Sequence, residues 1–193
     1  MFLNKGFFFK LREYIFINLY KIIFMNPRVI VILQNNEDMN YLIKNSNLKK
    51  KKIKIIKGSG IIIKDFKFSK VQNKLPTILM ASRIIGDKGV IEYVKAAKYL
   101  KEKKFKGIFY LIGDVDPANP SSIKEFQINE WKENKLVIYL KHQKKISNFL
   151  RKSTIVVLPS YREGFPKILM EAAACGRPVI TTNVPGCKDA VVN

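Results

Sequence analysis

The sequence predicts an α/β chain built on a Rossmann-like, doubly wound parallel sheet. From Thr77 onward, short apolar runs alternate with longer helical patterns, which is the signature of βαβ units. Val90, Tyr93, Val94, Ala97 and Leu100 fall at three- and four-residue spacings, giving one apolar helix face with lysines on the other. Of the 193 residues 47% are apolar, with 10 Gly and 8 Pro, so the chain is neither disordered nor fibrous and can bury a core.

The strands of this sheet are expected at Thr77–Ala81, 107–112, 136–140, Ile155–Leu158 and 179–182. The helices between them are expected at 90–103, 121–134, 145–151 and 166–175. In such a sheet, ligands bind beyond the carboxyl ends of the strands. Before Thr77 the pattern is thinner: an apolar run at 29–33, a helical stretch at 37–44 and a short strand at 53–57, too little to close a core. Gly58-Ser59-Gly60 and a polar stretch up to Pro76 then look like an inter-domain connection, dividing the chain into residues 1–75 and 76–193.

Residues 7–25 have two readings: an amphipathic helix lying in a membrane interface, with Lys10, Arg12, Glu13, Asn18 and Lys21 on its wetter side, or a buried helix of a larger domain. The second is preferred. The apolar stretch 14–33 does not span a bilayer, because Asn18, Lys21, Asn26, Pro27 and Arg28 interrupt it before about 20 clean residues accumulate.

The net charge of +21 comes from 36 Lys plus Arg against 15 Asp plus Glu. The chain is rich in Lys, Ile, Asn, Phe and Tyr, which an AT-rich coding sequence gives without selection for any partner. The alternative is attraction to anionic lipid, favoured by the basic first 74 residues with Lys49-Lys50-Lys51-Lys52 and Phe7-Phe8-Phe9. A nucleic-acid binder has little support, since no recognised motif and no interleaved aromatics accompany the charge. Cys175 and Cys187 form no disulfide-rich pattern and no cleavable leader precedes them, so a reducing cytoplasm is the expectation. Cys175, in an Ala-rich helix, reads as a small core residue.

The densest chemistry is at residues 159–178, PSYREGFPKILMEAAACGRP. A strand, the loop with Glu163, the turn Gly164-Phe165-Pro166 and a helix N-terminus follow one another. Free N–H groups and the helix dipole make that terminus suitable for an anion, and Pro166 suits the first helical position. Glu171 reaches the same cleft only for an elongated ligand such as a sugar joined through a diphosphate to a nucleoside. The alternative is a solvated carboxylate. A second cluster follows the first strand of the sheet, where Arg83 and Lys88 can neutralise a diphosphate, Arg by a planar fork and Lys as a point charge, or stand as two surface charges.

Glu163-Gly164-Phe165-Pro166 through Glu171 resembles the Glu, seven residues, Glu motif of the retaining glycosyltransferase family 4, and Arg83 with Lys88 is similar to that family's phosphate-binding pair. Segments 35–38, 58–61, 81–89, 111–114, 159–171 and 176–185 follow in the family's order. The resemblance implies a GT-B architecture: residues 1–75 as the last part of the acceptor-side domain plus linker, and 76–193 as most of the nucleotide-sugar domain. It implies that Arg83 and Lys88 bind the donor diphosphate and stabilise the leaving nucleotide, and that Glu163 contacts the transferred sugar. Gly164, Phe165, Pro166, Lys167 and Ile168 would meet phosphates and sugar, Glu171 would hold the ribose, and Gly60 lies in the crossover as a further substrate-binding candidate. No metal or other cofactor and no protein nucleophile is implied.

Residues 113–131 are similar to a branch that transfers hexosamines or related sugars onto lipid-linked diphosphate sugars for bacterial surface polysaccharides or glycans. That suggests a UDP-linked donor such as UDP-N-acetylgalactosamine and a cytoplasmic protein peripheral to the inner membrane face. Nothing before Val29 resembles the family's opening strand and glycine-rich loop, and its closing helix has no counterpart before Asn193. The expectation is therefore a chain truncated at both ends, weak or inactive alone. A non-catalytic nucleotide-sugar binding module stays open as the alternative.

Overall fold

A computed structural model describes residues 7–71 and 73–191, without the side chains of Phe7, Phe8 and Phe9. The chain divides into two compact units, residues 1–57 and 58–193.

In the first unit, helix α1 (Phe7–Met25) precedes strand β1 (Val31–Leu33), helix α2 (Asn36–Ser46) and strand β2 (Ile53–Ile55). β1 and β2 pair in parallel, with Val31 opposite Ile53. Asn35 starts α2 by accepting the Asp38 N–H on its side-chain oxygen (2.8 Å), a standard N-cap. Leu48 is the fully buried apolar side chain among the described residues of this unit. The polar residues of α1 do not all lie on the expected wet side. Glu13 accepts from the Tyr41 hydroxyl of α2, and Lys52 Nζ donates to the carbonyls of Phe24 and Asn26 (both 2.7 Å). Glu13, Asn18 and Lys21, expected on the wet side, are thus half-buried, while Tyr14, Ile22 and Met25 are exposed.

The second unit carries a five-stranded parallel sheet of β3 (Thr77–Ala81), β4 (Ile108–Ile112), β5 (Ile138–Leu140), β6 (Ile155–Leu158) and β7 (Val179–Thr181), in the order β5-β4-β3-β6-β7. The register aligns Thr77 with Ile108, Ile78 with Ile155, Tyr110 with Ile138 and Val156 with Val179. β3 is central and nearly all buried, so it reads as a continuous apolar run. Its alternate residues feed two layers. Ile78 and Met80 pack with Phe109, Leu111 and helices α3 (Val90–Glu102) and α4 (Glu125–Glu133). Leu79 faces the other way, with Val156, Leu150 of α5 (Ser147–Lys152) and Ala172 of α6 (Lys167–Ala174). The expected stripe on α3 is the buried one, and the Tyr93 hydroxyl donates to the carbonyls of Ile78 and Tyr110 (2.9 Å each).

Among the boundaries that differ from the sequence reading, three have clear local reasons. α4 begins at Glu125 rather than 121 because Ser121 and Ser122 pair with the loop after β3: Gly86 N–H donates to Ser121 O (2.6 Å) and Ile85 bridges Ser122. β5 begins at Ile138 rather than 136 because Leu136 N–H closes the end of α4 on Trp131 O (2.9 Å). The division of the chain falls at Lys57, not 75, because residues 58–76 are fastened to the sheet. Arg177, buried, donates to the carbonyls of Cys175 (3.0 Å), Ser153 (3.1 Å) and Ser69. Ser69 Oγ donates to Arg151 O (3.1 Å), and Asn73 donates to Lys152 O.

Candidate functional site

The strand order places β4 and β5 to one side of β3 and β6 and β7 to the other, so the chain reverses between β3 and β6. Crevices of ligand-binding size open at the carboxyl ends of such a strand pair. The two segments singled out by sequence, 82–89 and 159–171, both leave from this point.

After β3 the backbone turns at Ser82, whose N–H donates to Ile112 O (3.0 Å), and Ile84 N–H reaches Asp114 O (2.9 Å) in the loop after β4. A short 3₁₀ turn at Gly86–Lys88 ends on Gly89, with φ +77°, and α3 begins. A side chain there is excluded twice: the left-handed φ disfavours it, and a Cβ would lie 2.1 Å from Pro159 O. Gly89 is therefore what lets the loops after β3 and β6 touch through their backbones.

The loop after β6 is tied to the same place. Ser160 Oγ donates to Asp87 O (3.2 Å), Tyr161 N–H donates to that carbonyl (3.0 Å), and Thr182 donates to Ser160 O. These contacts bring Lys88 Nζ to 2.6 Å from Glu163 Oε1, with the two side chains 17% and 12% exposed. A charge-assisted pair this short and sheltered holds both groups in one orientation. Arg83 is not part of this pair. Its Nη1 donates to Asp116 Oδ2 at 2.8 Å, and the guanidinium is the more exposed partner.

Downstream of Glu163, the Phe165 ring packs on Gly58, its Cδ1 3.0 Å from where a Cβ would stand. Pro166 is the N-cap of α6 rather than its first helical residue, with extended ψ 119° and no side-chain cap. Lys167 opens the helix on its exposed side, and Ile168 packs between the inner layers. Glu171 sits one turn further on, half-buried; burial raises its pKa above the usual carboxylate value and Lys167 partly opposes the shift. Gly60 has φ +71° and open space around its Cβ position, with no atom of the described residues within 4 Å, and is not joined there to the Glu163 loop. Gly164 approaches the turn at Gly186, whose Cβ would meet Gly164 O at 2.3 Å and Glu163 O at 2.5 Å.

Sequence reasoning did not single out Asp116, Asp87, Ser160 or Thr181 and Thr182 at the end of β7. Asp87, Ser160 and Thr182 act through backbone carbonyls, and only the polar character of strand-end positions hints at them. Cys187 lies in this cluster too: burial pushes its thiol pKa up, while hydrogen bonds with Thr181 and Thr182 oppose that. His142, exposed, donates its backbone N–H to Asp114 Oδ1 (3.0 Å). Among the described residues no group of three or more His, Cys, Asp or Glu is placed to hold a metal ion.

A parallel sheet in this strand order, with cation and carboxylate brought together at its reversal point, defines a Rossmann-like domain, and its likeness to solved glycosyltransferases places it in the GT-B class. Residues 62–193 match the family of group 1 glycosyl transferases, and the chain belongs to that family. Over its full length it is 33% identical to the N,N'-diacetylbacillosaminyl-diphospho-undecaprenol alpha-1,3-N-acetylgalactosaminyltransferase of Campylobacter jejuni, covering 52% of that protein. It is 32% identical to the capsular polysaccharide biosynthesis glycosyltransferase CapM of Staphylococcus aureus, over 84% of this chain and 46% of the relative. The chain thus spans about half the length of these curated relatives. Among solved structures, a glycosyltransferase from Rickettsia africae superposes with TM-score 0.75 at 21% identity, covering 91% of this chain and 51% of that one. Anabaena HepE in complex with UDP-glucose gives 0.70 at 21% identity, over 85% and 47%.

Proposed function

We propose that this chain carries the donor site of a glycosyltransferase that moves a hexose or N-acetylhexosamine from a UDP-sugar to a lipid-linked diphosphate sugar or glycan, with retention at the anomeric carbon. The observation that supports this most is the Lys88–Glu163 pair at the reversal point of the sheet, with Arg83 on the adjoining loop. In this reading the two cations neutralise the donor diphosphate, so charge that builds on the leaving UDP is stabilised in place. Glu163 accepts from hydroxyls of the transferred sugar while Lys88 fixes its orientation. The backbone from Gly164 to Ile168 meets sugar and phosphates, and Glu171 accepts from the ribose. Residues 58–193 form the donor unit and 1–57 belong to the acceptor side.

The named activity of the Campylobacter relative favours a diphospho-undecaprenol-linked acceptor, and the name of the Staphylococcus relative favours bacterial polysaccharide assembly. A place at the cytoplasmic face of an anionic membrane fits the charge of +21 and the exposed apolar side chains of α1. No described helix is long and apolar enough to cross a membrane.

Calorimetric titration of the chain with UDP and UDP-N-acetylgalactosamine tests the donor site. Saturable binding is expected, with Lys88→Ala weakening both ligands at least tenfold and Glu163→Ala weakening UDP-N-acetylgalactosamine at least tenfold; wild-type protein that takes up neither ligand overturns the proposal. Incubation with a labelled UDP-sugar and a lipid-linked diphosphate acceptor then separates transfer from binding alone, and binding alone favours the non-catalytic module.

A further inference from the structure

The Arg83–Asp116 pair rests on an unusual foundation for an ion pair whose cation is 59% exposed. Asp116 is itself only 27% exposed and sits in a loop closed on itself: Asn119 N–H donates to Asp116 O (3.0 Å), Ser121 N–H to Asn119 Oδ1 (2.9 Å) and Ser122 N–H to Asn119 O (3.0 Å). Pro117 and Pro120 stiffen the same turn. This loop is zipped to the Arg83 loop by Ile84 N–H to Asp114 O (2.9 Å), Ile123 N–H to Ile84 O (3.2 Å) and Gly86 N–H to Ser121 O (2.6 Å). Ile84 bridges Val115, so Arg83 and Asp116 flank one backbone bridge, one residue to either side.

A fixed carboxylate therefore faces a long cation that would otherwise sample many rotamers. It engages a single nitrogen, Nη1, of a group with five N–H donors. We infer that Asp116 is a positioning residue of the donor site: it holds the Arg83 guanidinium by one edge so that its other N–H groups are presented to the diphosphate. The inference rests on the donor reading above and adds a residue to it. Its physical content is that the entropy of ordering Arg83 is lost on folding rather than on ligand binding.

The test titrates the chain with UDP by calorimetry and with uridine by NMR, in the wild type, Asp116→Ala, Asp116→Asn, Arg83→Ala and the double variant Arg83→Ala/Asp116→Ala. Asp116→Ala is expected to weaken UDP about two- to tenfold and leave uridine unchanged. Asp116→Asn, which keeps an acceptor oxygen, falls between. In the Arg83→Ala background, removing Asp116 adds nothing. Unchanged or tighter UDP binding in Asp116→Ala overturns the inference, since tighter binding means the carboxylate competes with phosphate. Equal loss of UDP and uridine overturns it too, because the loop then serves only the fold. Absence of UDP binding in the wild type removes the donor reading and this inference with it, whereas the other failures appear only in the variants.

Discussion

Arg177 is a cation buried to 5% exposure that no carboxylate pairs among the described residues. Its fork is satisfied by the carbonyls of Cys175, Ser153 and Ser69, and so it links the end of α6, the start of β6 and the 58–76 segment. In Arg177→Met the stem volume stays and the donors go. Ser153 and Cys175 are fully buried, and each stranded carbonyl there costs about 1–3 kcal/mol; Ser69 is half-exposed and regains water. Relief from burying a cation and the apolar gain of Met return about 1 kcal/mol. The net expectation is a loss of about 3 kcal/mol. With a urea slope of about 2 kcal/mol/M, the midpoint falls by about 1.5 M. Trp131, the single tryptophan, is buried in α4 of the same unit, so its fluorescence reads this unit alone. Arg177→Lys keeps the charge without the fork and should lose about half as much. A midpoint within about 0.3 M of wild type for Arg177→Met, at unchanged slope, would refute the idea that the guanidinium holds the segment.

Gly186→Ala places a Cβ 2.3 Å from Gly164 O at φ +76°, so the turn after β7 must retreat from the Glu163 loop; stability should fall by about 2 kcal/mol and UDP-sugar affinity with it, read by urea unfolding and calorimetry. Glu171→Gln tests a trade between stability and binding. Because burial raises the folded-state pKa of Glu171, the native state holds its proton more tightly than the unfolded chain, and stability falls as pH rises from the unfolded value through the folded one. Glu171→Gln should therefore be more stable than wild type at pH 7, with a flatter pH dependence above the ordinary carboxylate range, and should bind UDP more weakly; wild-type stability rising through that range would contradict the sign.

The strands of the second unit were legible because a βαβ sheet buries its strands on both faces, leaving apolar runs such as Thr77–Ala81 and Ile155–Leu158 whose ends match the structure to the residue. The cation–carboxylate pair was legible in part. Lys88 and Glu163 stand out as charges at strand ends, but 75 positions separate them, and no spacing rule says which cation a carboxylate meets. Arg83 and Asp116 show the same limit: a pairing across 33 positions follows from how two loops zip together.

The alternation of elements, the apolar face of α3 and the residue types gathered at the carboxyl ends of β3 and β6 are written in the chain itself, because periodicity and strand-end polarity are local properties. Packing is what closes Lys88 on Glu163 and Arg83 on Asp116, brings Glu13 of α1 to Tyr41, and lets Arg177 bind the 58–76 segment to the sheet. Each of these depends on which backbone carbonyls and charges packing brings within about 3 Å, and hydrogen bonds fade beyond that distance, so pairings of this kind exist only once the fold has formed.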